Sequence, residues 1–557
     1  MRPLFASLGC LAVLASCAPG AAPASEPWQT DTGLVTNMGS EPDTIDPQRG
    51  SFANEMSIMA MLYEPLLTWD PATLTLVPAA ARNLPRVSVD GRIYSYTLRD
   101  GLTYSDGAPL VAQRFVDAFV RLCDPGVAGE YAFLAYPIAG CAAWNQMDWK
   151  RTRAADLAAA RSAIGVRATD DHTVEFTLAE PFAAFPQATA MPAGAPVRVE
   201  DVTPVAHLWG TSLELTRFVG NGPFVLAEWR HNDRMIFERN QRYRLPVRLK
   251  TWTKLMISEP AVARGAYDHG ELDALGVEPR DRSDRDVLLA RSDLVRTLGT
   301  CVSYVGFNVT RPPFDDPNVR MAFAKSIDKD SFAQDLGVAA HVAPSFVTHE
   351  LPGHAHGDRA QDYDPASARR LLAASKYGAP VDGKIGGLEL RFTFAVPGMN
   401  VRSPTRERIQ WVIAQWSANL GVAVRLDPVD TTTSLSLIKR PEQLPLLRWM
   451  GWCPDYPDGD AWYGVFAKDG SAARALVFDD PELDAVVARA KVESDPLERE
   501  RLYDAASHRL SQQAPGAWIS WSEQWWLVSP RMKGYEVSAF DFDFGQLSLA
   551  RIVGSRR

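Results

Sequence analysis

The sequence predicts a mixed α/β protein, and three observations predict it. Segments of period-two alternation and segments of helical periodicity follow one another along the whole chain instead of clustering by type. The 557 residues, 46% hydrophobic and 10% aromatic, suffice for more than one well-packed core. No repeat of 20 to 50 residues is found, which argues against tandem modules.

The elements follow in order. Residues 1–16, within "MRPLFASLGCLAVLASC", have one arginine, an apolar run from Leu4 to Leu14 and small residues before Cys17, the order of an export signal. The run is short for a membrane span. "LASC" resembles the lipobox of bacterial lipoproteins, which implies lipidation of Cys17 and a flexible tether over residues 17–24; the alternative is cleavage near Ala22 to Ala24, with Cys17 discarded. "IYSYTLRD" (Ile93 to Asp100), "HTVEFTLAEP" (His172 to Pro181) and "RMIFERN" (Arg234 to Asn240) alternate as half-buried strands do. Helical spacing marks Leu110 to Leu122, Pro317 to Ile327, Pro365 to Ser375 and Thr405 to Gly421, with Pro365 as a start residue and Gly421 as a stop.

Composition and motifs exclude several functions. A net charge of -9 offers no field to a phosphate backbone, so nucleic acid is not an expected partner. No G-x-S-x-G nucleophile elbow occurs. "GAPVDGKIGG" (Gly378 to Gly387) approaches a phosphate loop, but Ile385 stands where a hydroxyl is needed and the segment follows a helix. His341, His349, His354 and His356 lie near Glu350 and Asp358, yet a Pro-Gly pair interrupts the helix a zinc-protease motif needs. No metal site and no cofactor are expected.

Of the six cysteines, Cys123, Cys141, Cys301 and Cys453 lie beyond the leader, an even set in an exported chain. Three pairings are possible, as are free thiols, and Cys123 and Cys141 are close enough for a local loop. Cys453 belongs to "RWMGWCPDYPDGDAWYG" (Arg448 to Gly464), where Asp455 sits among tryptophans and tyrosines. A carboxylate among rings needs a cation or donors. A ligand ammonium held by Asp455 and a ring face meets that need; a turn-capping Asp455 beside core rings is the alternative.

Seven segments in order resemble the periplasmic peptide-binding proteins of bacterial ABC importers (solute-binding family 5, oligopeptide and dipeptide type). They are "GSEPDTIDP" (Gly39 to Pro47), "LYEPLLTWD" (Leu62 to Asp70), Tyr96 to Phe119, Gly220 to Tyr243, Phe307 to Phe332, Tyr363 to Gly378 and "GWCPDY" (Gly451 to Tyr456). The resemblance implies a two-lobed clamshell (type II-like) with an extra α+β domain inserted early. The base lobe is expected over residues 25–53, 191–300 and 523–557, the extra domain over 54–190 and the second lobe over 301–522.

The resemblance also implies a Cys301–Cys453 disulfide and places the peptide α-ammonium on Asp455. It puts backbone pairing with the peptide around Gly451, Trp452 and Cys453 and around Ser40 and Glu41, with ligand contacts from Tyr131 and Tyr304. One departure concerns an arginine four residues before the cysteine, replaced here by Trp449 with Arg448 one step earlier. A second is a cleft tryptophan whose place falls near Thr431 to Ser434. The expected function is capture of a peptide for an ABC permease and ATPase, without catalysis, by a periplasmic, lipid-anchored monomer. Alternatives are another solute on the same fold, such as a metal chelate, sugar or opine-like compound, or a sensor or chaperone-like surface protein.

Overall fold

The computed structural model describes residues 33–534, apart from 214–217, 349–350, 352, 355–356, 397–403, 439–440 and 469, together with Arg551–Ile552. The leader, Cys17, the tether and, within the histidine-rich segment, His349, Glu350 and His356 lie outside the described residues.

The helices form where the spacing and caps place them. In Ala112–Leu122, Phe115, Val116, Phe119 and Leu122 share one buried face. Asp316 caps Pro317–Lys325 by accepting from Asn318 N, and Asp364 caps Pro365–Ala374 by accepting from Ser367 N. Gly421, at φ 71°, follows the helix Pro404–Leu420 and stops it, since only glycine takes that conformation without steric cost.

Eleven strands form one curled sheet. In chain order they are β1 Gly33–Asn37, β2 Phe224–Arg230, β3 Arg234–Arg239, β4 Thr251–Leu255, β5 Ala274–Val277, β6 Leu294–Phe307, β7 Ala340–Val342, β8 Leu390–Val396, β9 Val424–Asp430, β10 Leu447–Trp452 and β11 Gly516–Val528. Their spatial order is β9-β8-β10-β6-β11-β5-β1-β4-β3-β2, with β7 also paired to β11. β5, β1 and β4 are mutually parallel, as are β9, β8 and β10.

β6 and β11 are long enough to serve both groups. At one end β11 pairs with β5 (Val277↔Trp525), and at the other β6 pairs with β10 (Val302↔Trp452). This register points the carboxyl ends of β5 and β10 at each other and creates a cleft where open parallel sheets take ligands. The strands are irregular between the two groups: their register shifts between Leu298 and Val302. A Cβ at Gly299 would stand 2.3 Å from Ser522 Oγ, which also accepts from Cys301 N at 3.1 Å. The chain thus passes between lobes inside two strands, at a local kink.

Between β1 and β2 lies the inserted domain. Its four-stranded sheet, Arg86–Val87, Ile93–Thr97, Thr173–Thr177 and Val166–Asp170 in spatial order, is covered by Ala112–Leu122, with Phe119 edge-on to Phe176 at 4.8 Å. One continuous apolar cluster joins Phe115, Phe176 and Tyr96 to Phe224, Phe237 and Trp252 of the base lobe, so these two parts share a core. Two further clusters flank the β10 side of the sheet, one around Trp518 and Phe346, the other around Phe323 and Trp416.

Two disulfides are present. Cys123–Cys141 ties the end of the helix Ala112–Leu122 to the start of Cys141–Asn145, and Cys301–Cys453 ties the kink in β6 to the residue after β10. The local pairing and the pairing implied by resemblance both stand, and the free-thiol reading falls. Replacing Cys301 and Cys453 by serine is expected to lower the unfolding free energy of the second lobe by about 2–4 kcal/mol, because the bond closes a long loop. Urea unfolding followed by tryptophan fluorescence measures it, with non-reducing peptide mapping to identify the native pairs.

Candidate functional site

β10 has two unequal edges. It pairs with β6 along its length, from Val302↔Trp452 to Phe307↔Leu447, but meets β8 only at Phe392↔Leu447. Among the described residues no strand covers the other edge from Arg448 to Trp452. Backbone groups on such an edge have full hydrogen-bonding capacity and accept an added extended chain.

Side chains leave β10 alternately. Leu447 and Trp449 pack with the cluster of Phe323 and Trp416, where Trp449 lies 6.4 Å from the ring of Phe332 in a stacked arrangement. Met450 and Trp452 pack on the opposite cluster, and Trp452 Nε1 donates to Ala461 O at 2.8 Å. The one-step displacement from Trp449 to Arg448 therefore changes the face on which the arginine stands. Burial lowers the guanidinium of Arg448, and its Nη1 has no hydrogen-bond partner among the described residues.

Past β10, the acids separate into two kinds. Asp458 is 5% exposed and satisfied: it accepts from Arg499 Nη2 at 2.8 Å, Tyr503 Oη at 3.0 Å and the backbone N of Asp460 at 2.9 Å. Asp460 accepts from Tyr456 Oη at 2.9 Å, and burial together with the charge of Asp458 raises its carboxyl above the usual range. These two acids hold the loop. Asp455 differs: like Asp460 it forms no ion pair among the described residues, but the charges of Lys491 and Arg499 reach Asp460, whereas no cation among the described residues acts on Asp455, which accepts from Tyr131 Oη at 3.1 Å. Burial raises its carboxyl, and the tyrosine hydroxyl offsets that rise in part.

Tyr131 reaches the cleft from the inserted domain, where burial and the charge of Asp455 push its phenol up. The pairing is reciprocal: the phenol stays protonated and donates, and the carboxylate gains a donor. A turn-capping role for Asp455 is not what the geometry gives. Its carboxylate meets another domain.

On the base side of the cleft, Ser40 and Glu41 follow β1. Ser40 is exposed, and its N–H bonds Met38 O at 2.9 Å. The Glu41 carboxylate turns away to the β2–β3 hairpin, accepting from Trp229 Nε1 at 2.7 Å and Asn232 N at 3.1 Å and meeting His231 Nδ1 at 2.6 Å. The side chain thus fixes the segment, in which Gly39 N–H also bonds Asn37 Oδ1 at 3.2 Å. Sequence alone had no signal for this role, because the partners lie 188 to 191 residues away.

One expected contact is corrected. Tyr304 is 1% exposed, edge-on to Phe346 at 5.7 Å and to Trp518 at 5.4 Å. It lies on a central strand with its ring in the lobe interior, and this position gives it no surface in the cleft. Gly451 and Cys453 are exposed, and Trp452 is half-buried. The histidine-rich segment also finds structural uses: His341 stacks on Trp521 at 6.3 Å, and His354 Nδ1 lies 3.0 Å from Val347 O. Among the described residues no group of three or more His, Cys, Asp or Glu is placed to hold a metal ion.

Comparison with known proteins agrees with this arrangement. Residues 75–473 match the family described as bacterial extracellular solute-binding proteins, family 5, middle region. The chain is 28% identical to the periplasmic murein peptide-binding protein MppA of Escherichia coli, over 91% of this chain and 90% of that one. It is 26% identical to the periplasmic oligopeptide-binding protein OppA of Salmonella typhimurium, over 90% and 89%. Among solved structures, the unliganded open form of MppA superposes with a TM-score of 0.79 at 25% identity, covering 94% of this chain and 98% of that one.

Replacing Glu41 by alanine is expected to cost about 1 kcal/mol of base-lobe stability, the cost of losing its bond from the part-buried Trp229 Nε1. It should also speed amide exchange across residues 38–43. Hydrogen exchange on the purified protein reads both effects, and wild-type rates across the segment would dismiss the clamp.

Proposed function

Because the chain belongs to the bacterial extracellular solute-binding proteins of family 5, we propose that Asp455 receives the α-ammonium of a peptide laid as an extra strand along β10. The protein captures peptides in the periplasm for an ABC importer. Members of the family are solute-binding proteins. The expected alternatives, a non-peptide solute or a sensor, gain no support.

A single observation carries the assignment: a half-buried carboxylate that accepts from a neutral donor and, among the described residues, is reached by no cation, at the end of a strand whose outer edge no described strand covers. Burying an anion without a cation is unfavourable, and an ammonium supplies what is missing. Backbone pairing at Gly451, Trp452 and Cys453, and across the cleft at Ser40 and Glu41, reads the main chain of the cargo and tolerates many sequences. An ammonium at Asp455, beyond the carboxyl end of β10, directs the peptide back along the strand toward Arg448. Trp449 and Arg448 then face alternate side chains of the cargo from opposite sides of the sheet.

The sign of the pH dependence follows. The carboxyl of empty protein titrates above its ordinary value, and an ammonium partner would pull it down. Affinity is therefore full between the raised carboxyl value and the ~8 at which a peptide α-amine loses its proton, and declines as pH falls through the carboxyl value. The division into a base lobe (25–53, 191–300, 523–557), an inserted domain (54–190) and a second lobe (301–522) is the one we propose. A lipid on Cys17 and a monomeric state complete the reading. Mass spectrometry of the mature N-terminus should find diacylglyceryl-cysteine at Cys17; an unmodified N-terminus near Ser25 would reject it.

Asp455→Ala should weaken binding of a free-amine peptide by at least ~30-fold, the low end of the cost of breaking a buried charge pair. The same peptide acetylated at its amino end should lose far less. Isothermal calorimetry with both peptides decides; equal losses would remove Asp455 from the ammonium role.

A further inference from the structure

The inserted domain touches the segment after β10 at several points besides Tyr131. Gln187 Nε2 donates to Pro457 O at 3.4 Å, while its Oε1 accepts from Trp69 Nε1 at 2.6 Å. The Ala183 N–H bonds Lys491 O at 2.9 Å, and Lys491 Nζ stands 5.3 Å from the centre of the Phe182 ring. The exchange of side chains runs both ways. Tyr456 and Ala461, each 8% exposed, belong to the core that the inserted domain shares with the base lobe. Leu74, at a turn of the inserted domain, is 5% exposed within the core of the second lobe. Its positive φ of 56° is supported by Leu74 N–H bonding Asp70 O at 2.7 Å.

The second lobe is thus held at two places: at the kink where β6 and β11 cross, and at this clasp. A body held at two points has one easy rotation, about the line that joins them. Asp455 lies two residues from Cys453, which is bonded to the kink, and two from Pro457, which is bonded to the clasp. It therefore sits close to that line and moves little when the lobes swing.

We infer that residues Tyr131, Ala183 and Gln187 of the inserted domain are positioning residues: they keep the Asp455 ammonium subsite assembled in empty protein, so that cargo is taken by its amino end before the lobes close over the rest. This rests on the peptide reading for the identity of the cargo, but the clasp itself requires no cargo. A subsite assembled in advance lowers the ordering that binding must impose. Tyr131 has the further task of keeping the unpartnered carboxylate ionised until the ammonium arrives.

The experiment begins with empty protein. Hydrogen exchange at the Ala183 amide should be slowed at least ~100-fold relative to an unstructured chain, as for a stably formed bond, and should change by less than about 3-fold when a free-amine tripeptide saturates the cleft. Free exchange in empty protein, or protection that appears only with the tripeptide, would overturn the clasp. Its failure is separate from that of the peptide reading, which calorimetry with the acetylated peptide tests alone.

The positioning role of Tyr131 is read from the pH profile. Tyr131→Phe removes the donor that lowers the Asp455 carboxyl, so the acid limb of tripeptide binding should move to higher pH, with affinity at neutral pH, where the tripeptide amine is still protonated, reduced less than ~10-fold. A midpoint that stays where it is in wild type would reject the role, whatever the change in overall affinity, because a merely structural loss would scale binding at every pH.

Discussion

The antiparallel pair formed by Leu294–Phe307 and Gly516–Val528 is the constraint on which the rest depends. Each strand is continuous in the chain, yet its two halves, paired on either side of an irregular stretch, serve different lobes. Register in such a pair admits no slip without turning core residues to solvent. The carboxyl ends of the parallel strands on each side are therefore set facing one another by the same ladder. The cleft is a consequence of strand length. The irregularity between Leu298 and Val302 then localises bending in a ladder that would otherwise be stiff.

Electrostatics adds direction to a cleft that backbone pairing alone would leave indifferent. The three acids after β10 are close in sequence, but their surroundings give them different tasks. Arg499 and Tyr503 settle Asp458, Tyr456 and the charges of Lys491 and Arg499 offset the burial of Asp460, and Asp455 has Tyr131 as donor with no such charge among the described residues. In the proposed binding mode a cation on the cargo would relieve the third acid. The orientation of a bound chain follows from this asymmetry, whereas its sequence is left to the surfaces of Trp449, Met450 and Trp452.

Much of this was legible in the sequence. Periodicity, with Pro365 as a start and Gly421 as a stop, located four of the helices to within a few residues, because such signals act on their own neighbours. Asp455 attracted notice for a local reason as well, a charge amid rings. The face on which a residue stands proved harder. Tyr304 reads as a cleft residue from its place beside Cys301, but the pleat turns its ring into the core. The clasp was illegible for another reason: Ala183 and Lys491, or Gln187 and Pro457, are joined through one backbone group each, and a backbone carbonyl leaves no trace in residue type. The same holds for Glu41, whose carboxylate serves a hairpin far along the chain.

An uncovered strand edge such as Arg448 to Trp452 is ordinarily a hazard, since it offers any other edge a template for aggregation. Here the edge stands inside a two-lobed fold, and under the proposed function the cargo itself would supply the missing strand. The same backbone bonds that hold the ligand would then cap the hazard.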